Sequence, residues 1–175
     1  MNIFRNILTG NSCIRAFVRI FCFLCLTACT SDGECRKDVK VELITNLCKN
    51  VYDNVSESYI EKTLQVTQDT ITVFGLGNDS LIANEISIPN VSLTLKNFSD
   101  TTSFVFQLKN QSPDTVNFIC ENEDNFISLE CGNLVFHRIK DVQFSRYNID
   151  SVRIINNYVA IGNNGTNIKI YFRNR

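Results

Sequence analysis

Beyond residue 38 the chain alternates apolar and polar positions with a period of two. Val39, Val41 and Leu43 are interleaved with Lys40 and Glu42, Ile71 and Val73 with Thr70 and Thr72, and Val91, Leu93 and Leu95 with Ser92, Thr94 and Lys96. The pattern returns at Phe104, Phe106 and Leu108, at Val116, Phe118 and Cys120, at Val152 and Ile154, and at Ile168, Ile170 and Phe172. This is the signature of strands with one face on a core and one toward water. Turn-forming segments punctuate the runs: 75–79, 110–114, 121–124 and 162–165. The one helical signal is 58–64, where Ser58 and Glu61 stand at capping-box spacing. The pattern predicts an all-β fold, an antiparallel β-sandwich of immunoglobulin- or transthyretin-like type with about 7–9 strands.

The first 28 residues break this pattern. They carry Arg5, Arg15 and Arg19 and no acid, and end in the uncharged run Ile20–Ala28. That run is shorter than the roughly 20 residues a membrane span needs. A basic start followed by a short apolar stretch is a secretory signal. It closes on Leu26-Thr27-Ala28-Cys29, which resembles the lipobox of bacterial lipoproteins, with Cys29 as the lipid-attachment residue. The expected organisation is a removed signal peptide (1–28), a lipidated tether (29–37) and a β-sandwich domain (38–175). Acyl chains on Cys29 would hold the protein on a membrane, each buried methylene contributing about 0.8 kcal/mol.

Charge and cysteine content then look different. Removal of 28 of the 175 residues leaves 147, and loss of three Arg moves the net charge from −1 to −4. With a sequence pI near 5.8, nucleic acid is not an expected partner. Cys13, Cys22 and Cys25 leave with the signal, and Cys29 takes lipid. Cys35, Cys48, Cys120 and Cys131 remain as disulfide candidates, with three possible connectivities. None forms a CxxC pair, so neither metal nor cofactor is expected.

The stretch from Gln68 to Phe172 resembles the domain-of-unknown-function 6452 family of Bacteroidota lipoproteins. The resemblance is carried by the segments 69–81, 100–106, 114–118 and 126–132 (which contains Glu130-Cys131-Gly132), and by the run from Ile149 to Phe172. It implies a bridge between Cys35 and Cys131, and an outer-membrane barrel protein as a partner. It implies no activity. Cys48 and Cys120 depart from the family pattern. A second bridge between them and two buried thiols are both open.

Few residues offer chemistry. Gly75-Leu76-Gly77 lacks the third glycine of a dinucleotide loop. The single histidine, His137, follows Leu134-Val135-Phe136 in a strand-like run. Glu121, Glu123 and Asp124 lack the ordered spacing of a calcium loop. No catalytic residue is assigned. Five sites share Asp followed by Ser or Thr, and resemble the O-glycosylation sequon of exported Bacteroidota proteins: Thr70, Ser80, Thr101, Thr115 and Ser151 are the candidate acceptors. Turn chemistry accounts for the same residues.

These observations favour a non-catalytic envelope lipoprotein that binds or scaffolds another component, lipid-anchored at the outer membrane on either face. A glycan- or small-ligand-binding module is the alternative, for which Tyr147, Tyr158 and Tyr171 are the available rings. A hydrolase ranks last.

Overall fold

Alternation of apolar and polar side chains leaves each strand one face to bury, and two sheets pack those faces together. A computed structural model of the chain describes residues 40–64, 71–85, 89–129 and 131–173, all within one compact unit, Arg36–Arg175. Eleven strands form among the described residues: β1 (Leu43–Asp53), β2 (Ser58–Thr63), β3 (Ile71–Gly75), β4 (Asn78–Glu85), β5 (Asn90–Leu93), β6 (Thr101–Leu108), β7 (Asp114–Ser128), β8 (Gly132–Phe144), β9 (Ile149–Ile154), β10 (Tyr158–Val159) and β11 (Ile168–Phe172). They build an all-β sandwich. One sheet runs β2-β1-β11-β9, with β5 also on β1, and the other runs β10-β8-β7-β6-β3-β4.

The count exceeds the 7–9 expected because long strands are shared. β5 pairs with the first half of β1 and β2 with the second half. The pairing also departs from pure antiparallel order, since β1 runs parallel to β11, with Thr45 opposite Ile168 and Lys49 opposite Phe172. Two local expectations are corrected. Residues 58–63 form β2, because the Asp53 carboxylate accepts the Ser56 amide and hydroxyl (3.1 and 2.7 Å) and closes a tight turn onto β1. Residues 121–124 are the middle of β7, and the chain reverses only after Ser128, where Gly132 takes a positive φ of 68°. The glycine pair at 75–77 makes the β3–β4 turn, with Gly77 at φ 80°.

The core joins residues whose phase was legible in the sequence. Leu43, Leu47, Ile71, Val73, Phe106, Val116, Phe118, Ile168 and Ile170 are at most 1% exposed. Phe104 meets Phe118 edge to face at 6.0 Å, a preferred aromatic geometry. Each such side chain contributes about 1.5–3 kcal/mol by leaving water.

Polar groups fix how the sheets connect. Asp114 occupies the inward phase of β7 with Val116 and Phe118, and is fully buried. Its Oδ1 accepts the Ser145 hydroxyl (2.7 Å) and the Tyr147 amide (2.8 Å), and its Oδ2 accepts the Asn148 and Ile149 amides (2.7 and 3.2 Å). These donors lie where the chain leaves β8 in one sheet for β9 in the other. Asn167, also fully buried, plays a similar part. Its side chain accepts from the Ile44 amide (3.0 Å) and donates to the Asn156 and Tyr158 carbonyls (3.2 and 3.1 Å). Thr45, by contrast, is fully buried, and its hydroxyl has no partner among the described residues.

Two stability measurements follow. Asp114→Ala should lose at least about 3 kcal/mol in urea unfolding, because it strands one hydroxyl and three backbone amides, and each buried donor left unsatisfied costs about 1–3 kcal/mol. Asp114→Asn should recover only part, because its amide turns a donor toward backbone donors. Thr45→Val should be neutral or stabilise by up to about 1 kcal/mol, since it removes an unsatisfied hydroxyl at constant shape.

Candidate functional site

Directly paired residues of neighbouring strands project to the same side of a sheet. In the five-stranded sheet, Tyr52 stands opposite Tyr59, Asn50 opposite Glu61, Cys48 opposite Tyr171, Tyr171 opposite Ser151, and Lys169 opposite Arg153. Because Leu43, Leu47, Ile168 and Ile170 point inward, this set forms the outward face. At its rim the β9–β11 register slips, with Ser151 facing Tyr171 and Ile149 facing Phe172. Asp150 is therefore the extra, bulged residue, and it is exposed.

Glu61 is the hub of this face. Its carboxylate takes the Lys169 ammonium at 2.6 Å and the Tyr171 hydroxyl at 2.7 Å, with the Cys48 Sγ at 3.9 Å. Those two donors hold the Glu61 carboxyl below its ordinary range. Burial, followed by the Glu61 contact, pushes the Tyr171 phenol up to about 12. Beside this network lie two adjoining hollows of about 420 and 560 Å³, which share Asn50, Tyr59 and Tyr171. Arg153 lines the first and Arg173 the second. Neither guanidinium is ion-paired among the described residues. Tyr59 is 72% exposed and is met edge-on by Tyr52 at 5.3 Å.

The sequence-predicted residues scatter by comparison. Of the three candidate tyrosines, only Tyr171 belongs to this face. Tyr158 packs on Phe136 and under Arg138 on the other sheet, and Tyr147 sits in the crossover held by Asp114. Tyr59 was missed because 58–64 looked helical, and Tyr52 because the alternation was followed only as far as Leu43; its signal is the alternation of Asn50 and Tyr52 with Lys49 and Val51.

Cys48 and Cys120 do not form a bridge. Both are buried free thiols, and they lie on different surfaces, Cys48 under Glu61 on the outer face and Cys120 in the inter-sheet core. Burial pushes the Cys120 thiol up to about 11, and burial followed by Glu61 raises that of Cys48. Cys131 is disulfide-bonded. With the other two described cysteines free, its partner lies outside the described residues, as do Cys29, Cys35 and Thr70 and the side chain of Ser80. Among the remaining hydroxyl candidates, Thr101 and Thr115 are half-buried at the starts of β6 and β7, and Ser151 is half-buried beside the Arg153 hollow.

His137 is 1% exposed and faces the core on β8. Its Nδ1 meets the Asn122 Oδ1 at 2.8 Å. The Asn122 amide nitrogen donates to the carbonyls of Ser99, Asn97 and Lys96, so its oxygen accepts and the imidazole carries its proton on Nδ1. Two acids of β7 are paired outward, Glu121 with Lys140 and Glu123 with Arg138.

The geometry therefore defines an all-β sandwich with a polar, tyrosine-bearing groove on one outer face. A family model described as "Family of unknown function (DUF6452)" matches residues 70–172, and the chain belongs to that family. No curated protein and no solved structure matches it.

Burial holds the His137 imidazole below its ordinary value of 6.5. The unfolded chain therefore binds a proton that the folded one resists, and stability should fall as pH drops through 6.5 toward the folded value. The Glu61 contribution is kept above its ordinary 4.5 and is lost only in more acid solution. Chemical unfolding at a series of pH values should show the decline begin near 6.5, and His137→Gln should flatten that upper part alone.

Proposed function

We propose that the protein is a non-catalytic lipoprotein of the bacterial envelope, held at the outer membrane by acyl chains on Cys29, whose β-sandwich binds another envelope component. The observation that carries the binding role is the outer groove of the five-stranded sheet. It keeps a tyrosine ring in water beside two guanidinium groups that form no ion pair among the described residues, which leaves apolar area and hydrogen-bond donors open to a ligand. The anchoring role is supported by the basic leader, its short apolar run and the Leu26-Thr27-Ala28-Cys29 sequence.

Within this reading the signal peptide is residues 1–28, and Cys35 is the partner of the bonded Cys131. That pairing would constrain a loop of nearly 100 residues, with a chain-entropy contribution of about 4–5 kcal/mol. An outer-membrane barrel protein of a Bacteroidota cell is the partner the family resemblance suggests.

Labelled palmitate fed to a Bacteroidota host expressing the chain should be incorporated into the wild type, which should pellet with membranes. Cys29→Ser should remain unlabelled. A wild-type protein that takes no label would overturn the anchored reading.

A further inference from the structure

We infer that the outer groove of the five-stranded sheet binds an anionic saccharide, a sugar chain bearing carboxylate or phosphate groups. This deepens the binding role proposed above and rests on it. The argument starts from Tyr59. Its ring is 72% exposed, yet Tyr52 fixes it from the side at 5.3 Å, and it lines both hollows. An aromatic face held in water is a platform for the C–H face of a sugar ring, because it offers apolar area without demanding a dry pocket.

The charges set the sign of the ligand. Arg153 stands level with Lys169, and Arg173 lies four residues further along the same direction. At about 3.3 Å per residue the two backbone positions are about 13 Å apart. The carboxylate between them, Glu61, is occupied by Lys169 and Tyr171, so it does not neutralise either guanidinium. A planar guanidinium binds carboxylate or phosphate through two parallel hydrogen bonds. Two of them at opposite ends of one groove match a ligand with repeated negative groups better than a single small anion.

The remaining polar groups suit hydroxyls. Asp150, on the bulge, lines the Arg173 hollow and offsets part of its positive charge while offering an acceptor, and Ser151 lines the Arg153 hollow, so the anionic group is expected chiefly at Arg153. Carboxylates and hydroxyls accept the many O–H donors of a sugar. A sugar chain offers hydroxyl donors to these acceptors and a C–H face to the tyrosine along its whole length, whereas an acidic peptide presents one backbone donor per residue. Each hollow falls in the range of about 300–1,000 Å³ that ligand sites occupy, and their shared wall makes one elongated groove.

Calorimetric titration of the purified full-length protein tests this with four probes: oligogalacturonate, phosphomannan oligosaccharide, neutral maltohexaose and hexaglutamate. At least one anionic saccharide should bind saturably, with maltohexaose and hexaglutamate at least about tenfold weaker, and the first two arms tell carboxylate from phosphate. Tyr59→Ala and Arg153→Gln should each weaken binding at least about tenfold at an unchanged unfolding midpoint, while Tyr59→Phe should stay within about threefold. Failure of both anionic saccharides to bind, equal binding of hexaglutamate, or indifference to both substitutions would overturn the inference. Absence of saccharide binding in a palmitate-labelled protein would remove the groove assignment and leave the anchor. Cleavage of a bound saccharide, seen by mass spectrometry, would support the groove and overturn the non-catalytic reading.

Discussion

A carboxylate with no access to water holds the two sheets in their relation. Buried ions are tolerated only when their lone pairs are filled, and Asp114 meets that condition with one hydroxyl and three backbone amides from the β8–β9 crossover. The crossover in turn sets where β9 begins, and β9 carries Arg153 to the outer face. The same stretch accepts the Arg173 amide on the Asn148 carbonyl at 2.9 Å. Both ends of the groove are thus referred back to one side chain in the opposite sheet. Apolar layers alone can slide or repack with modest loss. A filled carboxylate allows one arrangement, because any shift strands several donors at once.

The two outer surfaces spend their charge differently. On the six-stranded sheet, Lys140 meets Glu121, and Arg138 meets Glu123 while lying 5.0 Å from the Tyr158 ring. On the five-stranded sheet, Lys169 satisfies Glu61, and Arg153 and Arg173 form no ion pair among the described residues. Content and register both separate them. The strands of the six-stranded sheet carry seven acids and two Lys or Arg, and those of the five-stranded sheet three acids and four Lys or Arg. Register then sets Glu121 and Glu123 within reach of Lys140 and Arg138 on one sheet, and places Tyr171 and Ser151 between Arg153 and Arg173 on the other.

This explains what could be read from the chain alone. Period-two alternation located the inward residues of β3, β5, β6, β7 and β11, because burial of one face is a local constraint; on β9 it pointed to Val152 and Ile154, whereas Ile149, beyond the bulge, is the buried residue and Ile154 is exposed. It also contained the polar core, had its phase been followed strictly: Asp114 and Asn122 share the inward phase with Val116, Phe118 and Cys120. The turn preferences of Asp, Asn and Glu masked them, and made 121–124 look like a reversal. At 58–63 the capping-box spacing was real, but Glu61 serves Lys169, more than a hundred residues away. Non-local pairings of that kind leave no trace in a window of ten residues, so the groove and the parallel β1–β11 contact required the fold.

The parallel contact has a consequence for how the molecule comes into being. β1 can complete its sheet only with β11, whose residue Ile168 lies opposite Thr45, and the Ile44 amide waits for Asn167 across 123 positions of sequence. Closure of so long a loop taxes the folding rate more than the final stability. Until the last strand arrives, β1 offers an open edge that other chains can pair with. A chain stalled or clipped before residue 168 would therefore be prone to association, and β11 acts as the latch that ends the vulnerable period.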